Sequence, residues 1–142
     1  MAKRLTWKEF TYTVQIGPGN SWIHRPLIHV AVSLRGEDNM VRIPALIDSG
    51  TDGTVLDAAI AQSLGIDPAR CQKVRLGGIG SAQGFLSNVQ LTVPDLDVTM
   101  NIPVVFAHHL PFDALLGQRH FFEAFRVRFE KDRNKFYVAP TP

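Results

Sequence analysis

The sequence predicts a mostly β, single-domain fold, a small closed barrel, and three observations lead to this prediction. Its 142 residues are enough for one domain with a substantial core but not for two. Short segments rich in β-branched and aromatic residues recur along the chain, separated by nine prolines and eleven glycines. Only one segment has a convincing helical periodicity. The composition, 45% hydrophobic and 20% charged, is that of a globular protein rather than a disordered or fibrous one.

Seven segments are predicted to be strands. The first, residues 10–16, alternates apolar and polar side chains and is followed by a chain-breaking Gly-Pro-Gly-Asn sequence. The other six predicted strands cover residues 27–34, 41–48, 84–93, 98–106, 125–130 and 136–139. Turn-forming residues at 35–39 and 132–134 predict hairpin loops between neighbouring strands.

One main helix is predicted over residues 56–64. Leu56, Ile60 and Leu64 recur at four-residue intervals, and Gly65 follows where a left-handed cap ends a helix. A shorter helical turn is predicted over residues 118–124. Trp7 and Trp22 are interpreted as packing residues.

Charge and cysteine content exclude several classes of protein. Fifteen basic and thirteen acidic residues give a net charge of +2, which does not favour a nucleic-acid partner. A single cysteine rules out an internal disulfide and fits a reducing compartment. No apolar run approaches the roughly 20 residues of a membrane helix, so no membrane insertion is expected. With no signal peptide expected either, the predicted location is cytoplasmic.

The segment from Ala45 to Gly53 is the first candidate for chemistry. An apolar strand runs directly into Asp48, and Ser49, Gly50 and Thr51 follow. A carboxylate at the end of a core strand needs hydrogen-bond donors, which these neighbours can supply. Two interpretations stay open from these residues alone: a functional carboxylate, or an Asp that merely begins an Asx turn.

Two further segments have no specific meaning in isolation. Gly77, Gly78 and Gly80 stand close together between two predicted strands, which is typical of a flexible hairpin but also of a loop that closes over an extended substrate. Later in the chain, Leu115-Leu116-Gly117 follows an apolar strand pattern and precedes the shorter helical turn. Adjacent His108 and His109 point to opposite faces of a strand, so no metal site is predicted.

Taken in order, these segments resemble the retropepsin-like aspartic proteases, the retroviral enzymes and their cellular and bacterial relatives. The resemblance covers roughly residues 25–130 and rests on Asp48-Ser49-Gly50-Thr51, the helix ending in Leu64-Gly65, the Gly-rich segment and Leu115-Leu116-Gly117. It implies the retropepsin-like barrel with one main helix and a flap hairpin over residues 25–142. Residues 1–24 are expected to form an N-terminal extension, a strand plus a loop.

The resemblance also implies site residues. Asp48 is the implied catalytic carboxylate, Ser49 grips a partner chain through its hydroxyl, and Gly50 donates toward the carboxylate and admits the substrate backbone. Leu116 and Gly117 pack beneath this loop. The implied substrate-binding flap consists of Gly77, Gly78, Ile79 and Gly80.

Arg119 and Asp52 mark a departure from the family pattern. In retroviral members an acidic residue at the position of Asp52 pairs with an Arg directly after the Leu-Gly glycine. Here Gln118 follows that glycine and Arg119 comes one residue later, so a pairing of Asp52 with Arg119 is left open.

The implied activity is that of an aspartic endopeptidase without a metal or other cofactor. Because this chemistry needs two carboxylates and the chain has one Asp-Ser-Gly, the resemblance implies a homodimer that binds a peptide or protein substrate. Thr51 adds a hydroxyl donor for the ionised carboxylate, so an acidic pH optimum is expected. The alternative is a catalytically weak or inactive peptide-binding or dimerisation module with the same fold.

Overall fold

The computed structural model describes residues 4–76 and 82–142, which contain twelve strands and two short helices. The strands are β1 Lys8–Thr11, β2 Thr13–Ile16, β3 Trp22–Arg25, β4 Leu27–Ser33, β5 Met40–Ile47, β6 Val55–Asp57, β7 Gln72–Leu76, β8 Ala82–Val93, β9 Val98–Ala107, β10 Ala114–Leu116, β11 Phe125–Glu130 and β12 Lys135–Pro140. The helices are α1 Ala58–Ser63 and α2 Phe121–Ala124. None of the helices in these residues is long and apolar enough to cross a bilayer.

Six strands close into a barrel. The largest sheet has the order β4-β5-β10-β6-β9-β8-β7, and an additional antiparallel pairing of β4 with β8 joins its two sides. This closure leaves β7 attached to the outside of β8. The predicted mostly β fold with a small closed barrel is therefore confirmed.

The barrel interior is filled by large apolar side chains from strands that are distant in sequence. Leu56, Leu91, Phe106 and Leu116 are each inaccessible to solvent and come from β6, β8, β9 and β10. Each fully buried side chain of this size stabilises the fold by about 2 kcal/mol. The barrel therefore holds β10, and the loop that lies against it, in a fixed position.

A second sheet packs the two ends of the chain together. It has three antiparallel strands in the order β1-β12-β11. Glu9 of β1 accepts a hydrogen bond from the Tyr137 hydroxyl of β12 (2.9 Å), and this bond, with the Lys135 ammonium, lowers the pKa of the Glu9 carboxyl. The predicted turn at 132–134 ends in Asn134 with a φ of 51°, a left-handed conformation that asparagine tolerates.

The predicted single strand over residues 10–16 is wrong, because the chain changes sheets at Tyr12. Its ring is buried against Phe136, and its N–H donates to the Asn134 carbonyl (2.8 Å). Beyond Tyr12, β2 pairs with β3, and within the described part of the chain these two strands form a separate hairpin. Residues 4–25 thus contain three strands rather than the expected one.

The main helix is shorter than predicted. It begins at Ala58, after Asp57 caps it by accepting a hydrogen bond from the Ala59 N–H (2.9 Å). Leu56 fits the helical spacing but belongs to β6, where it pairs with Phe106 of β9, so barrel closure overrides the local pattern. Gly65 follows the helix with a φ of 75°, as the sequence predicted.

Candidate active site

The loop from Asp48 to Thr54 crosses the end of β10. It leaves β5, which runs parallel to β10, and enters β6, which pairs with the other edge of β10 in the antiparallel sense. The Asp48 N–H donates to the Leu116 carbonyl (2.9 Å), which fixes the start of the loop to β10. The order of strands in the barrel therefore places Asp48 directly above the Leu116-Gly117 junction.

Both carboxylate oxygens of Asp48 accept hydrogen bonds. The Gly50 N–H donates to Oδ1 (3.0 Å), and the Thr51 hydroxyl donates to Oδ2 (2.8 Å). The first contact is that of an Asx turn, so that interpretation describes part of the geometry. The Thr51 contact is additional to that turn. Together with the Gly50 contact, it holds the half-buried carboxylate by both oxygens in one orientation.

Gly117 is required by the close approach of the active-site loop. A Cβ atom at this position would lie 2.5 Å from the Gly53 carbonyl oxygen and closer still to the Thr51 carbonyl oxygen. Gly117 is buried with Leu116, so neither backbone segment has room to retreat.

Gln118 is a site residue that the sequence reasoning missed. Its N–H donates to the Thr51 carbonyl (2.8 Å), and its side-chain Nε2 donates to the Ser49 carbonyl (2.6 Å). These bonds hold the middle of the loop, while the Ser49 side chain remains exposed. The sequence feature that could have identified Gln118 is its position directly after Gly117, where the family pattern has an Arg.

Asp52 and Arg119 are joined through the backbone. The Arg119 N–H donates to the Asp52 carbonyl (2.8 Å). Of the ion pairs within residues 4–76 and 82–142, none joins these two side chains, and both residues are exposed. Arg119 therefore supports the loop by its main chain, and its guanidinium is free to face a ligand or a second chain.

A cavity of about 350 Å³ opens beside the loop. Its apolar walls come from five strands and one connection: Val55, Leu76, Leu86, Val105, Leu110 and Leu115. Asp52, Arg119 and His120 also border it. The sequence did not identify these walls, because they meet only when the barrel closes. Such a cavity accepts a large apolar side chain.

The predicted flap residues Gly77, Gly78, Ile79 and Gly80 lie outside the described residues. On either side of them, β7 and β8 pair as an antiparallel hairpin, with Leu76 opposite Ala82. No three His, Cys, Asp or Glu side chains within the described ranges are close enough to bind a metal ion.

Comparison with known proteins decides the family. A sequence profile of the family described as aspartyl protease matches residues 30–119, more than half of the chain, including the Asp48 loop and Gly117. The chain belongs to the aspartyl protease family. No curated protein matches it significantly.

Solved structures of aspartyl protease relatives share the fold. A retropepsin-like aspartic protease from Rickettsia conorii is 16% identical, with a TM-score of 0.62 and 94% of this chain and 99% of that chain covered. The EIAV protease, complexed with an inhibitor, is 24% identical, with a TM-score of 0.50 and 66% and 81% covered. The retroviral protease-like domain of Ddi1 from Leishmania major is 14% identical, with a TM-score of 0.51 and 82% and 94% covered. This member of the aspartyl protease family therefore has the retropepsin-like fold.

Proposed function

We propose that this protein is an aspartic endopeptidase that acts as a homodimer, with Asp48 of both copies in one active site. The observation that carries the proposal is the Asp48 carboxylate, held on both oxygens by Gly50 and Thr51 at the end of a barrel strand. The chain has one Asp-Ser-Gly sequence, and the chemistry needs two such carboxylates. A second copy, related by a two-fold axis, supplies the other.

The two carboxylates share one proton, because two negative charges about 3 Å apart are unfavourable. The ionised Asp48 takes a proton from a water molecule, whose oxygen forms a bond to the scissile carbonyl carbon. The protonated Asp48 of the other copy gives its proton to the carbonyl oxygen. The resulting diol collapses when the Asp48 that took the proton from water passes it to the amide nitrogen and a diol hydroxyl returns a proton to the other Asp48. The C–N bond breaks to leave a carboxylic acid and an amine, and the dyad again holds one proton.

The substrate is proposed to bind as an extended peptide between the two copies. One large apolar side chain fills the cavity beside Asp48, and the Gly-rich segment covers the peptide backbone. Ser49, whose side chain is exposed, is proposed to bind the partner chain. Asp52 and Arg119 border the cavity and are proposed to contact the peptide or the second chain. The boundary at residue 24 and the cytoplasmic location stay predictions.

The test is cleavage of a diverse peptide mixture from pH 3 to 8, analysed by mass spectrometry. We expect the native protein to cut peptides and Asp48→Asn to lose at least about 10³-fold in rate, since the variant homodimer has neither carboxylate of the dyad. Asp132→Asn is the matched control, because that carboxyl lies in an exposed turn far along the chain. Its activity is expected to be unchanged, and pepstatin-type inhibitors are expected to block the native protein.

The alternative, a peptide-binding or dimerisation module, gives a different result. Folded, dimeric native protein would then leave all peptides intact at every pH. Asp48→Asn would bind the same peptides as the native protein.

A further inference from the structure

The β2–β3 hairpin, here called the arm, exposes an unusual amount of apolar surface. Val14, Ile16 and Trp22 are 49%, 65% and 72% exposed. Ile16 lies directly opposite Trp22 in the ladder, and Val14 is two residues along the same strand, so all three point to one face. The prediction that Trp22 is a packing residue therefore fails within a single copy. An apolar face of this kind, on an element without other strand partners, marks an interaction surface.

The arm is attached beside the active-site strand. The Ile47 N–H, one residue before Asp48, donates to the carbonyl of Pro26 at the base of the arm (3.1 Å). Next to it, the Arg25 guanidinium lies 4.6 Å from the centre of the Phe112 ring. These contacts hold the base of the arm at the edge of the molecule where Asp48 must meet its counterpart.

We infer that the apolar face of the arm packs against a second copy of this chain and forms part of the dimer interface. The inference rests on the homodimer of the proposed function and names a surface that forms it. Because the active site is incomplete in one copy, the surface around Asp48 is the surface that another copy must cover. The base of the arm is bonded to the residue before Asp48, so the arm leaves the barrel beside that surface.

The area of the arm fits this role. Its three apolar side chains expose on the order of 300 Å² per copy. In a two-fold interface each surface is used twice, so the two arms contribute roughly half of the 1,200 Å² or more that a stable interface buries. The active-site loops of both copies lie next to the arms and supply further area.

The test compares dimer affinities by sedimentation equilibrium. The variant Ile16→Thr/Trp22→Thr removes the apolar surface and places at both positions a β-branched residue that favours a strand. We expect its dimer dissociation constant to rise at least about tenfold, because each lost contact occurs twice. Met40→Thr is the matched control: Met40 is 44% exposed at the far end of β5, and its loss is expected to change the constant less than about twofold.

A second measurement uses the native arm. The chain has two tryptophans, so Trp7→Phe leaves Trp22 as the only one. Its emission is expected to shift to shorter wavelength, and acrylamide quenching to weaken, as protein concentration rises through the dimer transition. Emission that stays that of a water-exposed indole in a demonstrated dimer overturns the inference.

The outcomes separate the arm from the proposed activity. If the arm variant dimerises as tightly as the native protein, and cleavage still depends on Asp48, the arm inference is wrong and the protease proposal stands. If the native protein is a monomer at every concentration and cuts nothing, both are wrong. If the arm variant recovers native activity per dimer at high concentration, the arm acts through assembly as inferred.

Discussion

Asp48 shows how a local sequence can prepare a carboxylate for chemistry. The donors to its two oxygens come from residues two and three positions later, so the tight loop itself supplies them. Thr51 is the more informative donor, since its hydroxyl reaches the second carboxylate oxygen and so fixes the orientation of the carboxylate. A residue without that hydroxyl leaves the backbone donor in place and removes only this effect.

Thr51→Ala is expected to lower kcat/KM by roughly tenfold, because the Asp48 carboxylate loses the hydrogen bond that holds Oδ2 and fixes its orientation. The measurement is kcat/KM for one peptide substrate. Thr51→Ser keeps the hydroxyl and serves as the control. Equal kcat/KM values for the Ala variant and the native protein would contradict the role of Thr51.

At the scale of elements, the junction of β10 with the active-site loop decides how rigid the site is. β10 has only three residues, but it pairs with both β5 and β6 and carries the loop across its end. Gly117 and Gln118 follow at once, one leaving space for the loop backbone and the other donating two hydrogen bonds to it. The loop is therefore held from below by consecutive residues.

Gly117→Ala is expected to destabilise the protein by about 3 kcal/mol, since the added Cβ overlaps two backbone carbonyl oxygens in a packed region. For a domain of this size, the melting temperature should fall by roughly 10 °C. The measurement is thermal or urea unfolding monitored by circular dichroism. Gly53→Ala is the matched control in the same loop, because a Cβ there meets open space, and its effect should stay within about 0.5 kcal/mol. Equal stabilities for the two variants would contradict this prediction and would show that the loop backbone moves to make room for the added Cβ.

The predictions of strands and helices succeeded where the local sequence pattern agreed with the pairing of strands in the folded chain. Residues 125–130 were predicted as a strand, and β11 has those bounds, because turn residues end it on one side. The sequence predicts Leu56 in the helix because three apolar residues have helical spacing. This spacing is the same whether the first of them belongs to the helix or to the strand before it. The local pattern predicts Tyr12 in the middle of a strand, because it does not reveal the contacts that bury this residue. Those contacts are with Phe136 and Asn134, which are more than 120 residues away.

At the scale of the whole molecule, one copy is half of the proposed enzyme. Asp48 is half-buried and carries only one carboxylate of the proposed dyad, and the base of the arm is bonded to the residue before it. The proposed dyad and the apolar arm therefore both require a second copy of the chain. Activity and assembly are expected to depend on each other.

Mixed dimers test whether both Asp48 carboxylates are needed. Equal amounts of native and Asp48→Asn chains are mixed, dissociated and allowed to reassociate. The activity of the mixture is compared with that of native protein at the same total chain concentration. It should be about one quarter, the share of native homodimers. Independent active sites would retain about one half. The measurement is the initial rate of peptide cleavage, and a mixture with Asp132→Asn chains should keep the full rate.

The sequence by itself determined the family pattern, the mostly β class, Asp48 with its donors, and the pair Leu116-Gly117. These are features of adjacent residues, whose chemistry and spacing can be read along the chain. Tertiary structure alone decided the cavity walls, the Gln118 bond to Ser49, the backbone link between Asp52 and Arg119, and the separation of the arm from β1. The first three of these join residues that are distant in sequence, and their contacts exist because barrel closure buries the apolar strands and fixes which ends come together. The fourth depends on the distant contacts of Tyr12 with Phe136 and Asn134.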